Sequence, residues 1–458
     1  MGAHLHAGDI SPIELVDAHL RRIDELNPGL TAYTHIDAGG ARAAAEESAV
    51  RFGRSATRGP LDGVPVSVKS SIAVRGFPWE CGSLLRKGIR ADSDAPLVAR
   101  LRAAGAIILG NTNTPEFLMA WETNNRLHGR TDNPWRRDRT AGGSSGGESA
   151  AIAARLSAGG IGSDGGGSIR VPAHFTGICG LKPTPGRVPA TGHYPRSAGP
   201  FAATGVVGPM ARTVGDTRLL FDVVSGPDDG DPYSAPVPLR HPADETIRSL
   251  KIGVFEDDGR TMVTPETRKA VREAAEALRS RGFVVETFRP DNLEEIRELW
   301  WNLFGRAGRF VLGPMVKGHA KELSTTFDLF MREAAESPPL NLEDFMDTLV
   351  RRDEYRERLF QQMEEYPILL CPVAAIPAFL HGEREWSIEG KQVRYLDAWS
   401  YTEWFNLTGN PAMSVPVRVA DGLPIGVQIV GRCWEEESVL AVAAHLESAI
   451  GTIPAPPI

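Results

Sequence analysis

Between Gly142 and Arg170 the chain reads GGSSGGESAAIAARLSAGGIGSDGGGSIR, 29 residues of which ten are glycine and six serine. A serine hydroxyl becomes a nucleophile once a base takes its proton. Glycine backbone lets several N–H groups converge on one point without Cβ clashes. Acyl transfer needs that pairing: a nucleophile, a proton shuttle and donors facing a developing oxyanion. Other readings share the composition. A Gly/Ser linker has no reason to hold Glu148 to Leu156, ESAAIAARL, a good helix former. Gly160 to Gly165 fits G-x-G-x-x-G, but a dinucleotide loop follows a strand and opens a helix; here an Ala-rich helix precedes and Pro172 follows soon after. Nothing fits a phosphate-cradling P-loop. Gly142 to Gly146 fits the G-x-S-x-G elbow of α/β-hydrolases. An elbow follows an apolar strand, whereas NPWRRDRTA precedes this one. An esterase with a Ser-His-Asp triad stays open as an alternative, although the sequence nominates neither its histidine nor its acid.

Elements that could position such residues are legible on both sides. Val64 to Lys69, VPVSVK, alternates like a strand: Val64, Val66 and Val68 face one way, Ser67 and Lys69 the other. Ser11, Pro12 and Glu14 form a capping box with proline at the first helical position, and Ile13, Val16, Leu20 and Ile23 share one face of the helix that follows. Asn27-Pro28-Gly29 is expected to stop it. Pro96 to Ala104 reads as a helix and Ala106 to Asn113 as a strand entering a polar loop. Further units are strand Ile252 to Phe255, helix Pro265 to Ser280 and strand Phe283 to Phe288. AMSVPVRV and PIGVQIVG give two more strands, and Glu435 to Ile450 a closing helix. Strand and helix patterns alternate throughout, which predicts an α/β fold. Ser225 to Ala243 is rich in Pro and Asp and reads as a linker or a long surface excursion.

Composition narrows the function. The chain has 458 residues, is 42% hydrophobic and 24% charged, and carries a net charge of −8. No basic patch stands out, so nucleic acid is not an expected partner. The apolar run Ile368 to Leu380 is too short for a membrane span and contains two prolines. The N-terminus lacks a signal-peptide core, so a cytoplasmic protein is expected. Cys81, Cys179, Cys371 and Cys433 form no C-x-x-C pair and read as free thiols. The eleven histidines show no ligand spacing, so neither a metal nor a cofactor is expected.

The Gly/Ser segment has a specific likeness. GGSSGGESAAIAA followed by GSDGGGSIRVPAHFTGICGLKPTPGRV resembles the amidase signature family. So do GVPVSVKSSIAVRG, LVARLRAAGAIILGNTNTPEF, NPWRRDRTAGGSSGG and FNLTGNPAMSVPVRVADGLPIGVQIVGR. Together they cover most of residues 1–458, more weakly from about 227 to 367. The resemblance implies one α/β/α domain over the whole chain, a large mixed sheet flanked by helices. It also implies a Ser-cisSer-Lys triad: Ser168 as nucleophile, Ser144 as the bridging serine after a cis peptide bond, Lys69 as base. Backbone N–H groups of Gly165, Gly166, Gly167 and Ser168 would form the oxyanion hole, with Ser145 behind them. A lysine base must be neutral, hence desolvated.

The implied activity is hydrolysis of a C–N amide bond, with carbamates and esters also open, through an acyl-enzyme and without metal or cofactor. The implied partner is a small-molecule substrate, apolar or aromatic on at least one side, and the chain would be a monomer or homodimer. A tRNA-dependent amidotransferase A-type subunit, taking ammonia from glutamine, is the main alternative. Asp164 and Arg170 read as an ion pair bracing the glycine loop, and His174 as a packed histidine. Trp300, Trp301, Phe304, Phe327, Phe330, Trp399 and Trp404 read equally well as core or substrate pocket. The chain departs from the family at Ser70, where an acidic residue is usual, and at Gly165, where Thr or a larger residue is usual.

Overall fold

A computed structural model describes all 458 residues. Its main strands are β1 (Tyr33–Ile36), β2 (Pro65–Lys69), β3 (Ile107–Thr112), β4 (Gly159–Asp164), β5 (Cys179–Lys182), β6 (Val206–Ala211), β7 (Ile252–Val254), β8 (Val285–Thr287), β9 (Ile368–Pro372), β10 (Ala412–Ala420) and β11 (Leu423–Gly431). They form one sheet in the order β1-β3-β2-β4-β6-β5-β10-β11-β9-β7-β8. It is mixed: β3, β2 and β4 run parallel, as do β9, β7 and β8, and the pairs between β4 and β9 are antiparallel. One sheet thus draws strands from residue 33 to residue 431. Ser225 to Ala243 crosses the surface and divides nothing.

Strand periodicity distributes side chains between two layers. Ile368 and Leu370 join a 49-residue core with Val66, Val68 and the helices Pro96–Ala103, Val214–Val224, Pro265–Ser280 and Glu436–Ile450. Leu369 and Cys371 point the other way, into a second core with Leu293–Trp300 and Ser400–Thr408. β2 splits in the same manner. Its valines enter the first core, while Ser67 and Lys69 reach the helix Gly146–Ala153 and the loop before it.

One local expectation is corrected. The helix opened by Ser11 does not stop at Asn27 but runs from Pro12 to Leu30. Pro28 lies in its last turn, where only one backbone hydrogen bond is lost, and the Thr31 N–H donates to Asn27 O (2.7 Å) to close the end. Ile13 is partly exposed, and Leu15 is buried instead. Strand β4 is an addition to the elements read from sequence. Gly159 to Asp164 reads as loop by composition but is a fully buried central strand. Its glycines serve close approach: a Cβ on Gly160 would meet Glu148 Oε1 and, at 2.4 Å, Ser67 O. Small residues here let the helix carrying Glu148 lie directly on the sheet.

The four cysteines are unpaired. No helix is long and apolar enough to cross a membrane.

Candidate active site

Lys69 ends β2 fully buried, with its Nζ among three hydroxyls: Ser144 Oγ at 2.7 Å, Ser145 Oγ at 2.8 Å and Ser163 Oγ at 3.0 Å. The Gly143–Ser144 peptide is cis. Ser144 and Ser168 line one cleft with about 480 Å³ of empty space, open mouth included. Ser168 Oγ makes no hydrogen bond to Ser144 or Lys69, and its side chain borders the cleft with the residue 8% exposed. Lys69 and Ser144 are therefore joined directly, and Ser168 lines the same cleft as Ser144. Catalytic hydrogen bonds are often long without substrate.

Burial pushes the Lys69 amine down to about 7, with Cys81, Asp164 and Glu148 acting weakly in the opposite sense. Burial also raises the Glu148 carboxyl, which accepts from Ser67 and from Thr112 Oγ1 (2.7 Å). Proton inventory then assigns the hydroxyls. Ser145 Oγ donates to Ser163 O (3.2 Å) and accepts from Ser163 N (3.3 Å), so toward Lys69 it can only accept. If a neutral amine gives its second proton to Ser163 Oγ, its lone pair is left for Ser144.

The glycine loop is clamped from outside. Its carbonyls are all held: Asn406 Nδ2 donates to Asp164 O (3.1 Å), Trp300 Nε1 to Gly165 O (2.9 Å) and Trp121 Nε1 to Gly166 O (2.7 Å). In a trans peptide the N–H points opposite to the preceding carbonyl. The clamps therefore fix the directions of the Gly165 and Gly166 N–H groups, which donate to no protein acceptor, as is also true of the Ser168 N–H. The Gly167 N–H, also expected in the oxyanion hole, differs from its neighbours. It donates to Asp164 Oδ1 (2.7 Å).

Asp164 is the staple of the loop. Its carboxylate also accepts from Ile169 N (3.1 Å) and from Arg170 Nε and Nη2 (both 3.0 Å), with both side chains fully buried. Burial would raise this carboxyl, but the Arg170 guanidinium outweighs it and holds the group well below the usual range. Arg170 continues to Gln428 Oε1 (3.0 Å) and Asn406 Oδ1 (2.6 Å), tying the loop to β11 and to the helix Ser400–Thr408.

His174 offers no base for a Ser-His scheme. One ring nitrogen accepts from Gly426 N (2.8 Å) and the other faces Ile376 O (3.3 Å), so both are consumed. Ser144 follows an irregular segment rather than an apolar strand, so the elbow reading loses its structural context.

Most of the aromatic residues flagged in the sequence are core. Trp399 and Trp404 are buried among other rings, and Phe327 and Phe330 form a small cluster with Phe117 and Met119. Phe304 alone among them lines the cleft, with Leu118, Met119 and Phe201. Phe304 also accounts for Gly165. A Cβ there would lie 2.6 Å from Phe304 Cε2, a ring stacked on Trp300 with centroids 4.8 Å apart. We expect Gly165→Ala to cost about 1–3 kcal/mol by overpacking and close to nothing in a Phe304→Ala background. Denaturant melts of the four proteins measure this; strictly additive losses would mean the ring does not fill that space. Trp121, Leu118 and Thr402, whose Oγ1 also donates to Gly166 O (3.0 Å), carried no local signal in the sequence. Leu118 and its neighbour Phe117 hold φ of 70° and 48°, a left-handed pair rare outside glycine and common where function fixes the backbone.

The chain is similar to several known proteins. A family model described as Amidase matches residues 14–440. The indoleacetamide hydrolase of Bradyrhizobium diazoefficiens is 33% identical over 98% of this chain and 86% of its own. The A-type subunit of the glutamyl-tRNA(Gln) amidotransferase of Chloroflexus aurantiacus is 33% identical over 96% of this chain and 93% of its own. The crystal structure of a bacterial aryl acylamidase of the amidase signature enzymes superposes with a TM-score of 0.87 at 27% identity, covering 98% of this chain and 95% of the other.

Proposed function

The chain belongs to the amidase signature family, and from that premise we propose that it hydrolyses the C–N amide bond of a small, apolar or aromatic substrate through an acyl-enzyme on Ser168. The observation that carries this reading is Lys69 Nζ, buried 2.7 Å from Ser144 Oγ, in a cleft that Ser168 also lines.

In the proposed sequence, neutral Lys69 takes the Ser144 proton as Ser144 takes that of Ser168. Ser168 Oγ adds to the substrate carbonyl. The oxyanion faces the N–H groups of Gly165, Gly166 and Ser168, and the directions of the first two cost no reorganisation because the Asn406 and Trp300 clamps are already in place. Collapse breaks the C–N bond while the proton returns through Ser144 to the leaving nitrogen. Water, activated by the same pair in reverse, then hydrolyses the acyl-enzyme.

The cleft walls favour apolar groups: Leu118, Met119, Phe201, Val206, Val207 and Phe304. No Arg or Lys is among the lining residues, and its one carboxylate, Asp164, is spent on Arg170. Free glutamine, with its α-carboxylate, would find no cation there. This favours the amidase over the amidotransferase reading, although relatives of both kinds exist. An aryl acetamide, an acyl anilide and glutamine, compared at equal concentration, test the choice by release of ammonia or aniline. We expect turnover of the first two and about 100-fold less, or none, of glutamine, since one unpaired buried charge suffices for that difference. Glutamine as the preferred substrate would reverse the assignment.

A further inference from the structure

Glu403 is fully buried in the helix Ser400–Thr408, and neither oxygen of its carboxyl has a hydrogen-bond partner. Buried polar atoms left unpaired are rare and costly, and each calls for a reason. Its neighbours on the helix hold the oxyanion loop. Thr402 Oγ1 donates to Gly166 O (3.0 Å), and Asn406 Nδ2 donates to Asp164 O (3.1 Å). The helix packs against Leu293–Trp300, whose last residue holds Gly165 O through Trp300 Nε1 (2.9 Å). Glu403 thus belongs to the pair of helices that carry these three clamps.

The charged groups that act on it are Arg297 of the second helix, Asp397 just before its own helix and Arg260 of the loop after β7. Each is already engaged. Arg297 Nε lies 2.9 Å from Asp397 Oδ1, and Arg260 Nη1 donates to Glu294 O (3.1 Å). Asp258, facing the start of the helix, accepts from Ser400 Oγ (3.0 Å). At the far end Arg352 and Arg356, from the helix Leu342–Glu365, donate to Leu407 O (2.9 Å) and Thr408 O (3.0 Å). Burial, with Asp397 behind it, outweighs Arg297 and Arg260 and pushes the Glu403 carboxyl up to about 8. At neutral pH it is the protonated acid.

We propose that Glu403 is a positioning residue of the oxyanion loop that works as the neutral acid, and that its ionisation loosens the contact between the two helices and disables the loop from the alkaline side. The inference rests on the Ser168 acyl-enzyme reading. A carboxylate without a partner is too costly to stay in that interior unchanged. It has to draw Arg297 away from Asp397 or admit water, and either moves Ser400–Thr408 against Leu293–Trp300. Asn406 on one helix fixes the Gly165 N–H through Asp164 O, and Trp300 on the other fixes the Gly166 N–H through Gly165 O. Relative movement of the helices therefore turns the two donors apart, and an oxyanion hole works only while its donors keep their directions.

The test compares wild type with Glu403→Gln, a neutral side chain of the same shape, on one anilide from about pH 6 to about 10. Both are expected to rise through about 7 with Lys69. Wild-type kcat/KM is then expected to fall above about 8, by up to about tenfold per pH unit, while Glu403→Gln holds its plateau. Thermal melts read the ionisation without the chemistry. A carboxyl whose pKa is raised by folding stabilises the fold less as pH climbs from its ordinary 4.5 to about 8. Wild type should therefore lose Tm relative to Glu403→Gln over that span and no further above it. An alkaline fall of equal size in both proteins would assign the limb to other groups and overturn the proposal. So would a wild-type plateau without a fall, or a Tm difference that does not change with pH. If Glu403→Gln does not fold, Glu403→Met takes its place under the same criteria. Ser168→Ala separates the two levels. If it is inactive while the limb or the Tm shift fails, only the role of Glu403 fails; if it keeps turnover, the underlying reading fails and this proposal with it.

Discussion

Ser168→Ala is expected to lower kcat/KM by on the order of 10⁴-fold or more while leaving the fold intact, as nucleophile removal generally does. The lost group is a single oxygen at the cleft surface with no hydrogen bond to Ser144 or Lys69. No buried partner is orphaned, so the cost falls on chemistry and not on stability. The loop that carries it is held by Asp164 and Arg170 whatever stands at position 168. A fluorophosphonate or sulfonyl-fluoride probe should label the wild-type protein at one site, and peptide mass spectrometry should find the adduct on Ser168. Ser144 is the instructive rival. It lines the same cleft and lies at the centre of Gly142-Gly143-Ser144-Ser145-Gly146, which matches the elbow pattern. Labelling that survives Ser168→Ala and maps to Ser144 would exchange their roles.

The glycine loop, the lysine strand and the α/β alternation were legible because each is local. VPVSVK shows its two faces in six residues, and the structure keeps them: valines in one core, Ser67 and Lys69 toward the helix that begins at Gly146. Strand β4 was illegible for the opposite reason. Gly159 to Asp164 has neither apolar alternation nor β-branched weight, and it is a strand because β2 and β6, from elsewhere in the chain, pair with it on its two sides. The same holds for the oxyanion loop. Four N–H groups in a row look equivalent in sequence, and only the bond from Gly167 N to Asp164 sets one of them apart. Trp121 and Trp300 each orient one peptide of the loop across long stretches of chain, and nothing next to either tryptophan announces it. The departure at Gly165 becomes intelligible only once Phe304 is seen against it.

Activity is expected to rise with pH through about 7, following the neutral fraction of Lys69, and Lys69→Arg is expected to lose about 10³-fold or more, the scale of a general base's contribution. The sign follows from the direction of the shift. Burial lowers this amine to about 7 from its ordinary 10.5, so the base-competent neutral form grows as pH climbs past that value and vanishes below it. Two other groups in the site do not mimic this limb. Asp164 remains ionised throughout because Arg170 holds it low, and His193 remains neutral because burial holds it low. Glu148 is raised by burial and interacts with Lys69, so the limb reports the pair and not an isolated amine. Arginine cannot take over, since its guanidinium keeps its proton far above this range and its planar fork cannot meet Ser144, Ser145 and Ser163 from the position of one Nζ atom. Lys69→Ala should also be nearly inactive, though Ser168 should still react with a highly activated probe, because such reagents need less help from a base. The measurement is a kcat/KM profile from about pH 5.5 to 9 for wild type, read as the free-enzyme titration, beside single-pH rates for both variants and thermal melts to confirm folding. Wild-type activity that is flat across this range, together with a folded Lys69→Arg protein that turns over normally, would remove Lys69 from the proton relay and leave Ser144 without a base.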